Sequence, residues 1–260
     1  MDQIILYPIR INKYLAFKKI CSRREADQLI IENKIKINNR LALLGDKVNA
    51  NDKVEISTPK EQRKKLIYFA YNKPIGIVTH GAQKNQKEIK DIVNIKMPIY
   101  PVRRQTLKAS ADARAHRTSN GVYPIGRLDR SSRGLIILTN DGRITDRILN
   151  PKYEHEKEYI VQTDKPITTD FLHKMSAGIK LDGFKTKKCE TLKINSHSFK
   201  IIISEGKKHQ IRLMCGALNY KVIDLKRIRI MNIILKDLEP NQYREIEKEE
   251  LKKFLENLNL

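Results

Sequence analysis

The stretch TPKEQRKK, from Thr58 to Lys65, carries a proline, a run of charge and no large apolar side chain, so it cannot belong to a packed core. It divides the chain into parts that must each bury a core of their own. The expected division is a module at 1–58, a linker at 59–66, a larger domain at 67–246 and an amphipathic C-terminal helix over 247–260. At 260 residues the chain is long enough for one full core and a smaller second one.

In the first module, Ile11, Leu15 and Ile20 fall at roughly helical spacing. Ser22-Arg23-Arg24-Glu25 then forms an S-x-x-E capping box that opens a second helix through Ala26, Leu29 and Ile30. That helix is expected to end near Asn33-Lys34, with a short IKI strand and a turn at Asn38-Asn39 after it, which makes the module small and α/β. Arg23 and Arg24 occupy the first helical turn, where the macrodipole disfavours cations. That placement suits phosphate binding better than helix stability; a plain solvent-facing pair is the alternative.

From Leu66, LIYFAYNKPIGIVTH alternates, turns at Lys73 to Gly76 and alternates again, as a hairpin-like pair of strands would. Further strands are expected at Leu135 to Thr139, Glu158 to Gln162, Phe199 to Ser204 and Ile228 to Leu235. Helices fit at Arg143 to Leu149, at Thr169 to Ala177 closed by Gly178, and at Lys207 to Leu218, with Ile211, Met214, Cys215 and Leu218 on one face. Strands and helices mix without strict alternation, so the fold class is α+β.

Charge narrows the function. The 52 Lys and Arg against 30 Asp and Glu give a formal net charge of +22, which calls for a polyanionic partner, although the many Ile, Asn and Lys residues also carry a coding bias. Cys21, Cys189 and Cys215 form no CxxC pair, so neither a disulfide framework nor a zinc ribbon is expected. No apolar run reaches the ~18 residues of a membrane span and no export signal is read at the N-terminus, so a cytoplasmic protein is expected. With no HExxH, P-loop or G-x-G-x-x-G segment, no metal or nucleotide cofactor is expected, and side chains must supply the chemistry.

Two segments concentrate reactive groups. Gly126-Arg127-Leu128-Asp129-Arg130-Ser131-Ser132-Arg133-Gly134 delivers one carboxylate among three arginines just before an apolar strand; the alternative is a turn whose Asp ties its own backbone. Glu205-Gly206-Lys207-Lys208-His209-Gln210-Ile211-Arg212 follows another strand. Arg212 lies at the border of that helix's apolar face, and His209 reads as a polar contact, since no second histidine stands at metal-ligand spacing.

GRLDRSSRGLIILTNDG resembles the catalytic motif of the RsuA-like family of bacterial rRNA pseudouridine synthases. The KPIG turn at Lys73, Lys157-Glu158-Tyr159, EGKKHQIRLM at Glu205 and VIDLKRIRIMN at Val222 follow in the family's order. Residues 9–58 resemble the RNA-binding domain named for ribosomal protein S-four, which this family carries at its N-terminus. MSAGI at Met175, TKKC at Thr186 and RIRIMN at Arg227 are similar to the RluF branch, which acts on 23S rRNA and in some members on a tRNA anticodon.

The resemblance implies a mixed, mainly antiparallel catalytic sheet and a cofactor-free isomerisation: the bond from ribose C1′ to uracil N1 breaks, the base turns, and C1′ rejoins at C5. It also implies roles. Asp129 is the essential aspartate, as nucleophile or as base; Tyr159 is the active-site tyrosine, Arg212 the arginine paired with the aspartate, and Leu225 the apolar pocket residue. RNA contacts are expected from Arg23, Arg24, Lys34, Lys73, Arg127, Lys207, His209 and Gln210, in a protein expected to be a monomer. The competing reading is a catalytically inactive RNA-binding ribosome-assembly protein, which would be expected to lose Asp129, Tyr159 or Arg212. One departure from the family pattern is an insertion at about 103–121, ahead of the GRLD motif, expected to be a surface loop.

Overall fold

A computed structural model describes residues 6–18, 20–57, 66–93 and 121–260. The linker expected at 59–66, save Leu66, and the insertion expected at 103–121, save Gly121, lie outside the described residues. The described residues fall into two compact units, one drawn from 1–66, 141–147 and 260, the other from 67–140 and 148–259.

In the first unit the elements are β1 (Ile9–Arg10), α1 (Ile11–Phe17), α2 (Arg23–Ile31), β2 (Ile35–Ile37), β3 (Arg40–Leu41), β4 (Lys47–Val48) and β5 (Val54–Ile56). The capping box forms as the sequence predicts, Glu25 N donating to Ser22 Oγ at 3.3 Å and Ser22 N to a Glu25 carboxylate oxygen at 2.9 Å. Ile11, Leu15, Ala26, Ile30, Ile35, Ile37 and Val48 build the core against antiparallel β3-β2-β5 and the β1-β4 ladder. Asn38 and Asn39 make the expected turn with φ of 49° and 67°, values that asparagine tolerates better than most residues. Ile20 does not join the core; α1 stops at Phe17, short of the next turn, and leaves Ile20 exposed.

From Ile67 onward the chain runs β6 (Tyr68–Lys73), α3 (Ile89–Ile92), β7 (Tyr123–Ile125), β8 (Arg133–Thr139), α4 (Ile144–Leu149), β9 (Lys157–Thr163), α5 (Thr169–Ala177), β10 (Lys180–Leu181), β11 (Phe184–Lys185), β12 (Glu190–Lys193), β13 (Ser198–Ile203), α6 (Gln210–Ala217), β14 (Val222–Ile230), β15 (Ile233–Ile234), β16 (Tyr243–Glu245) and α7 (Lys248–Asn257), all in the second unit except α4, whose residues 144–147 group with the first. The main sheet of the second unit has the order β12-β13-β9-β14-β8-β6-β16, with β15 beside β14 and β7 beside β8. Among the described pairings of this sheet only β14-β8 is parallel, so it is mixed and mainly antiparallel, as expected.

One face of the sheet offers Tyr71, Ile136, Leu138, Tyr159, Val161, Phe199, Ile201 and Leu225, packed with Phe171 and Met175 of α5 and Ile211, Met214 and Cys215 of α6. Thr168 caps α5 by accepting from Phe171 N at 3.1 Å, and Gly178 closes it. The expected hairpin at 66–80 is not formed. All six residues of β6 are buried, because it is a central strand between β8 and β16, and beyond the KPIG turn, among the described residues, only Val78 bridges, to Glu88. The strand expected at Ile228 to Leu235 is likewise two: β14 ends at Ile230, and Met231, with φ of 52°, turns the chain into β15.

Strand register carries one line of residues across the unit. Lys73, Gly134, Arg227, Tyr159 and Ile201 are successive cross-strand partners on β6, β8, β14, β9 and β13, a single row across five strands.

Candidate active site

Asp129 lies in the loop from β7 to β8, and the chain on both sides of it is fixed from outside the loop. Buried Thr79 clamps Leu128: its hydroxyl accepts from Leu128 N at 3.0 Å and donates to Leu128 O at 2.9 Å. Gly76 N donates to Arg130 O at 2.8 Å, while Arg130 Nε returns a bond to Gly76 O at 3.1 Å. Arg212 donates to Ser131 O at 3.0 Å, and Ser132 N to Asp129 O at 3.0 Å. A carboxylate on a loop tied at residues 128, 130 and 131 is held before any substrate arrives. The KPIG turn owes its shape to Gly76, at φ of 87°.

Asp129 opens onto a cleft of about 250 Å³, with Leu128, Tyr159, Ile203, Ile211 and Leu225 as apolar walls and Arg127, Arg130, Lys207, Lys208 and His209 as basic lining. The structure thus brings Asp129, Tyr159, Leu225, Arg127, Lys207, His209 and Gln210 to one place. Tyr159 and Leu225 are buried, while Arg127 and Arg130 are exposed and Asp129 is half-buried. Lys207 holds its ammonium 3.4 Å from the centre of the Phe184 ring, a cation–π contact.

Three expected contacts are not formed in the structure. Arg212 does not meet Asp129: its guanidinium donates to the carbonyls of Val222 at 3.1 Å and Ser131 at 3.0 Å and keeps Nε buried without a partner among the described residues, while His209 Nδ1 lies 3.2 Å from Asp129 Oδ2. Lys73 is fully buried, because as the last residue of β6 it shares the core-facing side with Phe69 and Tyr71; its ammonium donates to Pro74 O at 2.9 Å and Ile77 O at 2.7 Å and cannot reach RNA. Gln210 is buried too, accepting from Lys207 N and donating to Glu205 Oε1 at 2.6 Å. In the first unit Lys34 is partly exposed beside Glu32, at 2.6 Å, and Arg23 and Arg24 are exposed.

Sequence reasoning missed Thr79 and Arg227. Arg227 is buried, donates through Nε to Leu135 O at 2.7 Å and leaves Nη2 unpartnered. Its signal was a basic residue at a strand position two from Leu225, the spacing that returns to the same face. Burial pushes both Lys73 and Lys157 down to about 8; Asp129 opposes that shift at Lys73, while Arg227 adds to it at both.

The buried ammonium of Lys73 makes stability depend on pH. Its folded value of about 8 lies below the ordinary 10.5, so between those limits the unfolded chain binds more protons and stability rises with pH. The urea midpoint of the native protein is therefore expected to gain on that of Lys73→Met as pH is raised from about 8 to 10.5. Parallel midpoints across the window would refute it.

Burial also pushes the thiols up, Cys21 and Cys215 to about 12 and Cys189 to about 11, so none is a ready nucleophile. Among the described residues no group of three or more His, Cys, Asp or Glu is placed to hold a metal, and no helix is long and apolar enough to cross a membrane.

Residues 67–217, more than half the chain, match the family described as RNA pseudouridylate synthase. The chain belongs to that family. Residues 9–54 match the S4 domain. The pseudouridylate synthase is 38% identical over 247 residues to the dual-specificity RNA pseudouridine synthase RluF of Escherichia coli, an alignment covering 94% of this chain and 77% of the relative. It is 32% identical to ribosomal large subunit pseudouridine synthase B of Bacillus subtilis, with 94% of each covered. A solved pseudouridylate synthase superposes with a TM-score of 0.63 at 26% identity, covering 96% of this chain and 99% of the other. This synthase is therefore an enzyme that isomerises uridine in RNA, and its Asp129 cleft is lined largely from the matched segment.

Proposed function

We propose that this synthase modifies a uridine of large-subunit (23S) ribosomal RNA, with Asp129 acting directly on a nucleotide turned out of its helix. The observation that carries the reading is the pinned Asp129 loop beside a cleft whose walls are apolar and whose remaining lining is basic. Turning the nucleotide out costs a few kcal/mol, and stacking on Tyr159 recovers about 1–3 kcal/mol, with Leu225 closing the pocket. The ionised carboxylate then meets C1′ or the 2′ hydrogen, while the base turns without leaving the cleft.

Arg127, Arg130, Lys207 and Lys208 supply phosphate contacts around the cleft, and Arg23 and Arg24 supply them from the N-terminal module. On this reading residues 1–58 grip RNA and 67–246 perform the reaction. The large-subunit assignment rests on the Bacillus subtilis relative; the dual specificity named for the Escherichia coli relative calls for a second RNA to be examined, and the family resemblance suggests a tRNA anticodon.

The test is to map pseudouridines in both ribosomal RNAs and in tRNA from cells with the protein, without it, and carrying only Asp129→Asn. A large-subunit site is expected to vanish with the protein and to return with the wild type but not with Asp129→Asn. Loss confined to small-subunit rRNA or tRNA would overturn the assignment.

A further inference from the structure

The strand that leaves the Asp129 loop is joined to the strand that carries Leu225 by a short stretch of backbone. On β8 the ladder with β6 covers Gly134 to Thr139 and the ladder with β7 covers Ile137 to Thr139, so Arg133, where the strand begins, is paired only with Lys226 of β14 among the described pairings. That parallel contact has its registered positions at Arg133 with Lys226 and Gly134 with Arg227. On β14 the ladder with β9 slips between Val222 and Asp224 and skips Ile223. Two sparsely laddered strand ends therefore decide where the Asp129 carboxylate stands relative to Leu225 in the cleft wall.

Side chains supply what the ladder lacks there. Arg133 grips Asp224 with the fork of its guanidinium: Nε donates to Oδ1 at 3.0 Å and to Oδ2 at 3.1 Å, and Nη2 donates to Oδ2 at 2.7 Å. Such a fork on a carboxylate fixes direction as well as distance. It ties the start of β8, just beyond the Asp129 loop, to the residue directly before Leu225 on β14. Asp224 and Leu225 are consecutive in a regular stretch of strand, so their side chains take opposite faces; Leu225 faces the cleft and Asp224 turns away from it. Neither Arg133 nor Asp224 is among the residues that line the cleft.

We propose that the Arg133–Asp224 pair is a positioning device for the isomerisation: it fixes the exit of the Asp129 loop against the strand that carries Leu225, and so sets the gap into which the turned-out nucleotide must fit. A displacement of reacting groups on the order of 1 Å costs up to about a hundredfold in rate, so a clamp that touches no substrate can still govern turnover. The proposal rests on Asp129 being the reacting group.

Three variants test it: Arg133→Met, Asp224→Asn, and the double variant, which leaves neither charge stranded. Single-turnover tritium release from large-subunit rRNA labelled at uracil C5 would be measured against RNA concentration, at a temperature well below every thermal midpoint, so that loss of folded protein does not contribute. Each single variant is expected to lose about tenfold in the rate at saturating RNA, with the half-saturating concentration within about twofold. The double variant is expected to lose no more than the slower single one, because either substitution alone already opens the clamp. Should a single variant fail to fold, the saturating rate of the double variant decides alone.

A wild-type saturating rate in the double variant, losses that multiply in it, or a change confined to the half-saturating concentration would each overturn the proposal, the last by making Arg133 an RNA contact. Asp129→Asn, assayed alongside, keeps the two readings apart. If it turns over, the assignment of Asp129 fails; if it is inactive while the double variant runs at wild-type rate, only the positioning role fails.

Discussion

Asp129→Asn is expected to lower single-turnover pseudouridine formation by about a thousandfold or more, roughly 4 kcal/mol of transition-state stabilisation, and to leave RNA affinity within about threefold. The split reflects where the residue sits. Arg127, Arg130, Lys207 and Lys208 line the same cleft and carry the attraction for phosphate, and the loop is fixed through main-chain atoms that the substitution does not touch. Asparagine keeps the volume, but it removes the negative charge and with it both routes open to the aspartate, attack at the sugar and removal of a proton. Tritium release and filter binding on the same RNA decide it. Turnover within about tenfold of wild type would sink the assignment.

What could be read from the sequence was what is decided locally. The Ser22-Glu25 box, the stop of α5 at Gly178 and the turn at Asn38-Asn39 each depend on residues close together in the chain, and each formed as expected. Partner choice across the sheet is not local. The KPIG turn gives β6 the signature of a hairpin, yet β6 is buried along its whole length and pairs with β8, Lys73 lying opposite Gly134. The strands β10, β11 and β15 have two residues each and leave no periodicity to read.

The same distinction runs through the site. Asp129, Tyr159 and Leu225 were expected in one pocket and line one cleft. Which of Arg212 and His209 lies nearer Asp129 was not legible, because the two stand close together in the chain and the bonds from Arg212 to the carbonyls of Val222 and Ser131 depend on contacts distant in sequence. Lys73 was misplaced for a related reason: beside proline and glycine it looks like a turn residue, whereas counting back by two through Tyr71 and Phe69 puts it on the core face.

Gly134→Ala is expected to cost the fold more than about 3 kcal/mol, because the substitution combines a strained backbone with overpacking against main chain that cannot move aside. Gly134 has φ of 104°, and a Cβ there would lie 2.2 Å from Arg227 O and 2.7 Å from Arg227 N. These are atoms of β14, which is held on its far side by β9 and cannot retreat without disturbing that ladder. Gly206→Ala is the matched control, since a Cβ there meets nothing within 4 Å and its φ lies outside the left-handed region. Urea unfolding of the two variants is expected to show a large fall in midpoint, or failure to accumulate as soluble protein, for Gly134→Ala alone. A midpoint for Gly134→Ala within about 1 kcal/mol of wild type would show that β14 can yield at this crossing. The position matters beyond stability. The parallel contact of β8 with β14 is made at Arg133 and Gly134, directly after the loop that carries Asp129, and Leu225 of the cleft wall lies two residues before Arg227 on the facing strand. A side chain at 134 would push apart the two strands that set the distance between carboxylate and pocket wall, so any folded fraction of Gly134→Ala should turn over more slowly than its folded population alone would give.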